Sequence, residues 1–405
     1  MGAMAGSDGT MTLLTGRVVG PSAVLDDGAL VVDGERIAWV GRRADLAGAP
    51  AAVVGAAAPE GWADGRTLLP GLVDVHCHGG AGGEFGADPE SARTAARHHL
   101  VHGTTSLVGS LVSAPGPTLV AGATTLAGLV RHGDLAGIHL EGPFLSVARC
   151  GAQDPNALTD PDPALVDALA HAADRSWAQM TFAPERPGAD RLVRSLAERG
   201  VLASIGHTDT DATTARRALD RALEVAPRGG RPLVTHVFNG MPPMHQRSPG
   251  PVAAALGVAA RGDAVLEVVG DGIHLAAETV RMLFEVVGSG NLALVTDAMA
   301  AAGMPEGRYS LGGRDVVVDG RTARLAGGGA IAGGVATLLE VVRWCVHEAG
   351  VPLVDAVQAA TRTPAHAMGW ADRGALDTGA RADVLVADEA LHPVSVMRGG
   401  AWVAD

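Results

Sequence analysis

The chain has 405 residues, 47% of them hydrophobic and only 3% aromatic, so a sizeable core can form and must be built mainly from aliphatic side chains. Its formal net charge of −13 at pH 7 argues against a nucleic-acid-binding surface. Its 3 cysteines form no CxxC pair and no disulfide framework, which predicts a reducing, cytoplasmic location. We expect neither secretion nor membrane contact, because no signal-like segment and no bilayer-spanning apolar run is present.

Both ends of the chain have the composition of β-structure. Short β-rich runs separated by Asp-Gly turns are predicted at 13–19, 29–32 and 36–40. Similar runs close the chain at 382–387, 394–398 and 401–404. Because two β-rich ends flank a different body, we predict that residues 11–67 and 373–405 pair into one small β-sandwich domain.

The body between them, residues 68–372, alternates strands with helices, as is typical of a parallel sheet. Strands are predicted at 68–76, 104–111, 135–141, 178–183, 201–207, 233–238, 265–269 and 292–296. Helices follow most of them, at 89–101, 117–130, 163–173, 191–198, 211–225, 251–260 and 277–287. A hairpin at 309–325 and helices at 335–348 and 354–367 complete the body. Eight such units in a row predict an α/β fold with a closed (β/α)8 TIM barrel.

Imidazoles and carboxylates recur at the predicted strand ends. They are His76, His78, Glu141, His207, His236, His274 and Asp297. The carboxyl ends of barrel strands converge on one mouth, where active sites lie. Each residue has an ordinary alternative, such as a buried histidine bonded to a carbonyl or an aspartate that caps the next segment. Their shared position nevertheless favours a metal site.

The His76-Cys77-His78 spacing has a physical reason. In a strand, residues i and i+2 point to the same face, so both imidazoles can address one ion. Cys77 then points away from that ion, toward the barrel wall. A pair of polar loop residues is the alternative for this motif taken alone.

Two carboxylates complete the predicted chemistry. Glu141 ends an apolar strand, where a carboxylate is costly unless a cation pairs with it or it caps the next segment, and we favour a ligand that bridges two ions. Asp297 is expected to be both a weak ligand and the base that takes a proton from water and returns it to a leaving amine. His139, two residues before Glu141, is interpreted as a hydrogen-bonded histidine inside the barrel.

Several segments together resemble the N-acetylglucosamine-6-phosphate deacetylases of the amidohydrolase superfamily over nearly the whole chain. They are residues 70–79, 139–144, 235–243, 247–250, 271–274 and 296–298. The resemblance implies metal-dependent deacetylation of N-acetyl-D-glucosamine 6-phosphate to D-glucosamine 6-phosphate and acetate. It also implies a homodimer that binds a small amino-sugar phosphate.

The resemblance implies roles for individual residues. Glu141, His207 and His236 match the ligands of a tighter metal. His76 and His78 match those of a second metal, to which Asp297 contributes. The metal is expected to be Zn²⁺, one or two ions per subunit, although Fe, Co and Mn also suit mixed histidine and carboxylate ligands.

The substrate-binding residues follow from the same resemblance. His274 matches a contact to the sugar, and Asn239 and Gly240 match the stretch whose amides meet the phosphate. Arg247 matches a phosphate-binding arginine that reaches across a dimer interface. Amides and one arginine would explain how an acidic protein holds a sugar phosphate.

The sequence departs from the family where Gln153 stands in place of a histidine that polarises the acetyl carbonyl. Glutamine donates a hydrogen bond but cannot become cationic. Cys150, in the same loop, is either a redox-sensitive residue near the mouth or an inert small residue. Two alternatives stay open: another amidohydrolase acting on a cyclic amide or N-acyl substrate, or a Gln153-impaired variant that only binds sugar phosphate.

Overall fold

The structure, a computed structural model, describes residues 11–63, 65–327 and 329–404. Strands in these ranges are β1 (Thr12–Val19), β2 (Val24–Asp33), β3 (Arg36–Arg42), β4 (Thr67–Pro70), β5 (Leu72–Cys77), β6 (Gly79–Gly80), β7 (Gly83–Glu84), β8 (Thr104–Val112), β9 (Gly137–Glu141), β10 (Trp177–Phe182), β11 (Leu202–Ile205), β12 (Leu233–Val234), β13 (Val265–Val268), β14 (Leu292–Leu294), β15 (Gly307–Leu311), β16 (Arg314–Asp319), β17 (Thr322–Leu325), β18 (Val384–Ala387), β19 (Pro393–Arg398) and β20 (Ala401–Trp402).

The α-helices of the described residues lie mainly between the barrel strands. They are α1 (Ala51–Val54), α2 (Pro89–Val101), α3 (Gly116–His132), α4 (Pro163–Ala173), α5 (Ala189–Glu198), α6 (Ala212–Glu224), α7 (Gly250–Ala259), α8 (Ala277–Val287), α9 (Leu338–His347), α10 (Leu353–Ala359) and α11 (Arg362–Ala367). Within the described ranges, no helix is long and apolar enough to cross a bilayer.

The predicted barrel is confirmed as an eight-stranded sheet in the order β14-β13-β12-β11-β10-β9-β8-β5, with every neighbouring pair parallel. Backbone hydrogen bonds also join the ends of its first and last strands. The N–H of Asp297 donates to the carbonyl of His76 at 2.9 Å, and the N–H of His78 donates to the carbonyl of Ala298 at 2.7 Å. These bonds bring the predicted site residues of the two strands side by side.

The two ends of the chain form one mixed sheet in the order β20-β19-β18-β4-β1-β2-β3, which confirms that they pair. Strand β4 lies between them, parallel to β1 and antiparallel to β18. The single strand predicted at 68–76 is therefore wrong, because β4 belongs to this sheet and β5 to the barrel. The domain boundary expected between residues 67 and 68 falls inside β4.

Amphipathic helices with aspartate caps surround the barrel. Asp88 and Asp162 precede a proline in the first turn of α2 and α4, and their carboxylates accept backbone N–H groups that the helix leaves free. In α5 the buried positions are Ala189, Leu192, Val193 and Leu196, the spacing of one helical face. Burial of such aliphatic faces against the strands provides the core that fixes the strand ends.

Three predicted elements differ from the structure near the C-terminus. The hairpin expected at 309–325 is a three-stranded antiparallel sheet, β15 to β17. The helix expected at 335–348 is α9, which starts later because Thr337 and Glu340 form a capping box. The helix expected at 354–367 is broken into α10 and α11, because Thr361 has an extended φ of −140°.

Candidate metal centre and active site

The barrel mouth brings six of the predicted residues into contact. Around Glu141, the last residue of β9, two pairs of histidines converge. On one side the Nε2 atoms of His76 and His78 lie 3.0 Å apart, and the Nε2 atom of His78 lies 3.2 Å from Glu141 Oε2. On the other side the Nε2 atoms of His207 and His236 lie 3.1 Å apart, and each is within 3.0 Å of Glu141 Oε1. Glu141 is therefore shared by two groups of three buried side chains.

These distances fit a bound metal ion. Ligand atoms 2.0–2.1 Å from a tetrahedral Zn²⁺ lie about 3.3 Å from one another. The separations around Glu141 range from 2.9 to 3.7 Å. Imidazole nitrogens that face each other this closely are placed as two ligands of one cation would be. The Glu141 side chain could serve both groups, as predicted for a bridging carboxylate.

Asp297 faces the His76–His78 side of the centre. Its Oδ1 atom lies 3.3 Å from His78 Nε2 and 3.5 Å from His76 Nε2. Its Oδ2 atom lies 4.0 Å from His274 Nε2. The carboxylate therefore has one oxygen toward the candidate ligands and one toward the cavity, an arrangement suited to a group that contacts water.

The charges of the centre favour a cation. Burial alone would lower the pKa of His76, but Asp297, Glu141 and Glu267 outweigh it and raise the pKa to about 9. Burial likewise opposes the charge on His78, yet its hydrogen bonds to the carboxylates of Asp297 and Glu141 raise its pKa to about 10. Without a metal, protons on these histidines would thus supply the positive charge that balances the carboxylates.

The two carboxylates respond in the opposite sense. Burial would raise the pKa of Asp297, but the charges of His76 and His78 hold it well below its usual range. The same balance, with His207 and His76 as the main partners, holds the pKa of Glu141 well below its usual range. Both side chains are therefore ionised at neutral pH and can act as ligands or as a base.

Three of the candidate residues have a left-handed backbone. The φ angles are +45° for His207, +27° for His236 and +47° for Asp297. Such conformations are costly for residues with a side chain and cluster at functional sites. Each residue follows a short barrel strand, and the sharp turn aims its side chain inward across the mouth.

The metal centre opens into a cavity of about 230 Å³. Its lining includes His78, Glu141, Gly151, Ala152, Gln153, His207, His236, Asn239, Gly240, His274, Asp297, Leu311, Ala330, Ile331 and Gly333. His274 is held there by Asp271, whose Oδ2 atom lies 2.8 Å from His274 Nδ1. Burial opposes the charge on His274, but the Asp271 carboxylate raises its pKa above the ordinary value.

A model of the amidohydrolase family matches residues 67–403. The chain belongs to this family.

Relatives within the amidohydrolase family narrow the assignment. Human N-acetylglucosamine-6-phosphate deacetylase is 34% identical over 355 residues, which cover 84% of this chain and 85% of the human one. A mutant of the Mycobacterium smegmatis deacetylase, solved with N-acetyl-D-glucosamine-6-phosphate, is 38% identical, with a TM-score of 0.89 over 98% of this chain and 100% of that one. These likenesses confirm the predicted resemblance to N-acetylglucosamine-6-phosphate deacetylases.

A relative with a different sugar is similar to almost the same degree. N-acetylgalactosamine-6-phosphate deacetylase of Escherichia coli O157:H7 is 32% identical over 335 residues, which cover 81% of this chain and 85% of that protein. Sequence identity alone therefore does not distinguish between the two amino sugars as substrates, and a direct comparison of both is needed.

In this deacetylase-like site, Gln153 is held at both ends of its carboxamide. Its Oε1 atom accepts a hydrogen bond from the N–H of Ser113 at 2.7 Å, and its Nε2 atom donates to Glu141 Oε2 at 2.5 Å. The side chain is buried at the cavity wall. Gln153 therefore contacts the metal centre itself, which sequence spacing alone did not reveal.

His139 behaves as predicted for a histidine inside the barrel. Its Nδ1 atom pairs with the Ser110 hydroxyl at 2.9 Å and its Nε2 atom with the Thr181 hydroxyl at 2.8 Å. Both ring nitrogens are used, and burial lowers its pKa well below the ordinary value. His139 is therefore neutral and supports the candidate ligand His76, against whose ring it packs edge-on.

Two predicted residues lie apart from the cavity. Arg247 is exposed in the segment between β12 and α7 and is absent from the described cavity lining. Cys150 is half-buried beside the lining residue Gly151 and also lies outside that lining. The structure of one chain thus does not bring Arg247 to the metal centre.

Sequence reasoning missed a buried carboxylate beneath the centre. Glu267 lies on β13 and its Oε2 atom is 2.9 Å from His76 Nδ1. Gln179 on β10 donates to its other oxygen at 3.2 Å. The available signal was a charged residue at an inward position of the otherwise apolar run Val265-Leu266-Glu267-Val268.

Proposed function

We propose that the chain hydrolyses the amide of N-acetyl-D-glucosamine 6-phosphate and releases D-glucosamine 6-phosphate and acetate. The observation that carries this proposal is the buried centre around Glu141, open to a cavity in a chain of the deacetylase type. Its histidine and carboxylate donors suit a divalent cation, for which we propose Zn²⁺, with Fe, Co and Mn as the other candidates.

The candidate ligands divide into two sets. Glu141, His207 and His236 would hold one ion, and His76, His78 and Glu141 would hold a second, with Asp297 at its edge. A divalent cation supplies Lewis acidity, which activates water and polarises the acetyl carbonyl. Three of the imidazoles present Nε2 to the ion with Nδ1 hydrogen-bonded elsewhere, the orientation expected of metal-binding histidines.

Asp297 is the proposed general base and acid. It is ionised, it lies at the edge of the ligand cluster, and one of its oxygens faces the cavity toward His274. We assign it the removal of a proton from the attacking water and the delivery of that proton to the amine nitrogen as the C–N bond breaks. His274, whose Nδ1 atom pairs with Asp271, would use Nε2 to donate a hydrogen bond to the bound sugar or to the developing oxyanion.

The sugar phosphate is assigned to the cavity wall formed by Asn239 and Gly240, beside His207. The N–H of Asn239 already donates to the carbonyl of His236 at 2.9 Å, so the N–H of Gly240 is the backbone donor proposed for a phosphate oxygen. Gly240 has a φ of +62°, and a Cβ atom there would lie 2.9 Å from His207 Nδ1, so only glycine fits this wall. Arg247 is too exposed to complete the site in one chain, so we propose a homodimer in which the second copy supplies it.

Gln153 would donate to the acetyl carbonyl or hold Glu141, without a charge of its own. The loop that contains Cys150 is proposed to line the entrance. Free cysteines and a sugar-phosphate substrate favour the cytoplasm.

Acetate release by the purified protein tests the proposal, with and without Zn²⁺. Three acetylated sugars are compared: N-acetylglucosamine 6-phosphate, N-acetylgalactosamine 6-phosphate and unphosphorylated N-acetylglucosamine. Ring opening of a cyclic amide is followed in parallel. Zinc-dependent turnover with the highest kcat/KM on the first is expected. Preference for the galactosamine ester would change the sugar, and turnover of only cyclic amides would overturn the deacetylase assignment. Binding of the sugar phosphate without turnover would identify a Gln153-impaired variant.

A further inference from the structure

Glu267 is a fully buried carboxylate beneath the metal centre, with a relative exposure of 0%. An ionised side chain at such a place is costly unless hydrogen bonds compensate it. Glu267 accepts three: from His76 Nδ1 at 2.9 Å, from Gln179 Nε2 at 3.2 Å and from the N–H of His236 at 3.4 Å. Two of these partners are candidate ligands, one through its ring and one through its backbone.

The bond to His76 determines which ring nitrogen of that histidine carries a proton. An ionised carboxylate can only accept, so Nδ1 of His76 must be the donor. The Nε2 atom on the far side of the ring then offers its lone pair toward Glu141, 3.7 Å away, and Asp297, 3.5 Å away. Glu267 thus leaves His76 in the tautomer that a metal ion at the mouth requires.

The other candidate histidines lack a charged partner of this kind. Nδ1 of His78 faces the carbonyl of Ser110 at 3.2 Å, and Nδ1 of His207 faces the carbonyl of Arg149 at 2.7 Å. Nδ1 of His236 has no hydrogen-bond partner among the described residues. Since a carboxylate makes an imidazole a stronger electron donor than a carbonyl does, His76 is the ligand most strongly supported.

We propose that Glu267 is a positioning residue that tightens binding of the metal at His76, His78 and Glu141. This inference rests on the proposed metal-dependent function. Glu267 also adds a buried negative charge beside Glu141 and Asp297, which a second divalent cation would offset. An ion held by His207 and His236 would depend on Glu267 much less, because neither ring touches it.

Metal content and affinity test this role directly. Wild type, Glu267→Gln and Glu267→Asp are stripped with chelator, titrated with Zn²⁺ against a competing indicator, and analysed for bound metal per chain. Gln179→Leu is the matched control, since it removes buried hydrogen bonds to Glu267 and to the carbonyl of Val75 but none to the His76 ring. Thermal unfolding of each metal-free protein and kcat of each loaded protein are measured alongside.

Wild type is expected to bind two ions. Glu267→Gln should weaken one of them by about 10–100-fold and leave the other at the wild-type affinity. Glu267→Asp, which keeps the charge, should recover part of that loss. Gln179→Leu should keep both ions, although it lowers the unfolding temperature.

The contrary outcomes are distinct. The positioning role would be overturned if Glu267→Gln bound both ions with wild-type affinity. It would also be overturned if wild type bound a single ion whose affinity did not change in Glu267→Gln, or if Gln179→Leu weakened metal binding as much as Glu267→Gln. If both Glu267 variants fail to fold while Gln179→Leu folds, Glu267 is a structural residue and the proposal fails. Wild type that binds no metal would instead overturn the proposed metal-dependent function.

Discussion

At the scale of single residues, Asp297 is the side chain whose removal should separate catalysis from binding. Asp297→Asn keeps the shape but cannot accept the proton of the attacking water, so kcat should fall by about 10²–10⁴-fold. The metal at Glu141, His207 and His236 should remain, because Asp297 contacts the other pair of histidines. Steady-state kinetics and metal analysis on the same preparation measure both effects.

The exposed Asp319 at the end of β16 provides a control for the Asp297 substitution. Asp319→Asn should retain wild-type kcat and metal content. A kcat of Asp297→Asn within tenfold of wild type, with metal bound, would show that another group moves the proton.

Gln153 should contribute to stability as well as to the reaction. Gln153→Leu has nearly the same volume but leaves the N–H of Ser113 without its buried partner and removes one of two partners of Glu141 Oε2, which keeps His78 at 3.2 Å. Each lost partner costs about 1–3 kcal/mol, so the free energy of unfolding should fall by that order in urea titrations. Gln153→His, which keeps a donor toward Glu141, should lose less; equal loss in both variants would mean that hydrogen bonding at this position contributes little.

The sequence predicted the residues of the centre more fully than their partners. Strand spacing led to the histidines because parallel strands end at the same mouth, and this needs no knowledge of packing. Glu267 was missed because its partner His76 is 191 positions away in sequence, and only the closed barrel brings them together. The proposed role of Arg247 depends on a second copy of the chain, and one sequence carries no information on that pairing.

At the scale of elements, Gly71 separates the mixed sheet from the barrel. Its N–H donates to the carbonyl of Asp383 at 2.9 Å, and a Cβ atom there would lie 2.2 Å from Thr105 Oγ1 and 2.9 Å from Asp383 Cβ. Gly71→Ala should therefore overpack this junction and destabilise the fold by about 1–3 kcal/mol, measured as a lower urea midpoint.

Gly48 is the matched control for the junction, since a Cβ atom there would meet nothing within 4 Å. Gly48→Ala should leave the urea midpoint unchanged or slightly raised. An unchanged midpoint in Gly71→Ala would mean that β4 and β5 can separate enough to accept a methyl group.

The elements that sequence patterns predicted poorly are those shaped by long-range pairing. The segment 68–76 was predicted as one strand, although Pro70 and Gly71 interrupt it, and β18 from the far end of the chain pairs with its first half. The predicted strand 233–238 is reduced to β12, because His236 and Phe238 turn into left-handed conformations at the mouth. Pro70 and Gly71 were a local signal for a break, but the pairing with β18 and the turns at the mouth depend on neighbours distant in sequence.

At the scale of the whole molecule, the metal centre couples folding to pH. His76 and His78 have pKa values raised to about 9 and about 10 in the metal-free fold, above the ordinary value of about 6.5, and the pKa of His207 is raised in the same sense. Their charged pairing with the carboxylates therefore stabilises the metal-free protein fully below about pH 6.5 and is lost as pH rises toward the folded pKa values.

Metal changes this pH dependence, because bound imidazoles are neutral ligands and cannot lose a proton in that range. Between pH 7 and 9 the metal-free protein should lose about 1.4 kcal/mol of unfolding free energy per pH unit for each protonated imidazole. The unfolding free energy of the zinc-loaded protein should change far less. The stabilisation by Zn²⁺ should therefore increase with pH, and Zn²⁺ binding should release protons. Urea titrations at fixed free Zn²⁺ measure the first effect, and calorimetry in buffers of different ionisation enthalpy measures the second. The difference in unfolding free energy between zinc-loaded and metal-free protein could instead stay constant from pH 7 to 9, with no proton release. That result would mean that the imidazoles are already neutral without metal and that no protons take the place of the metal.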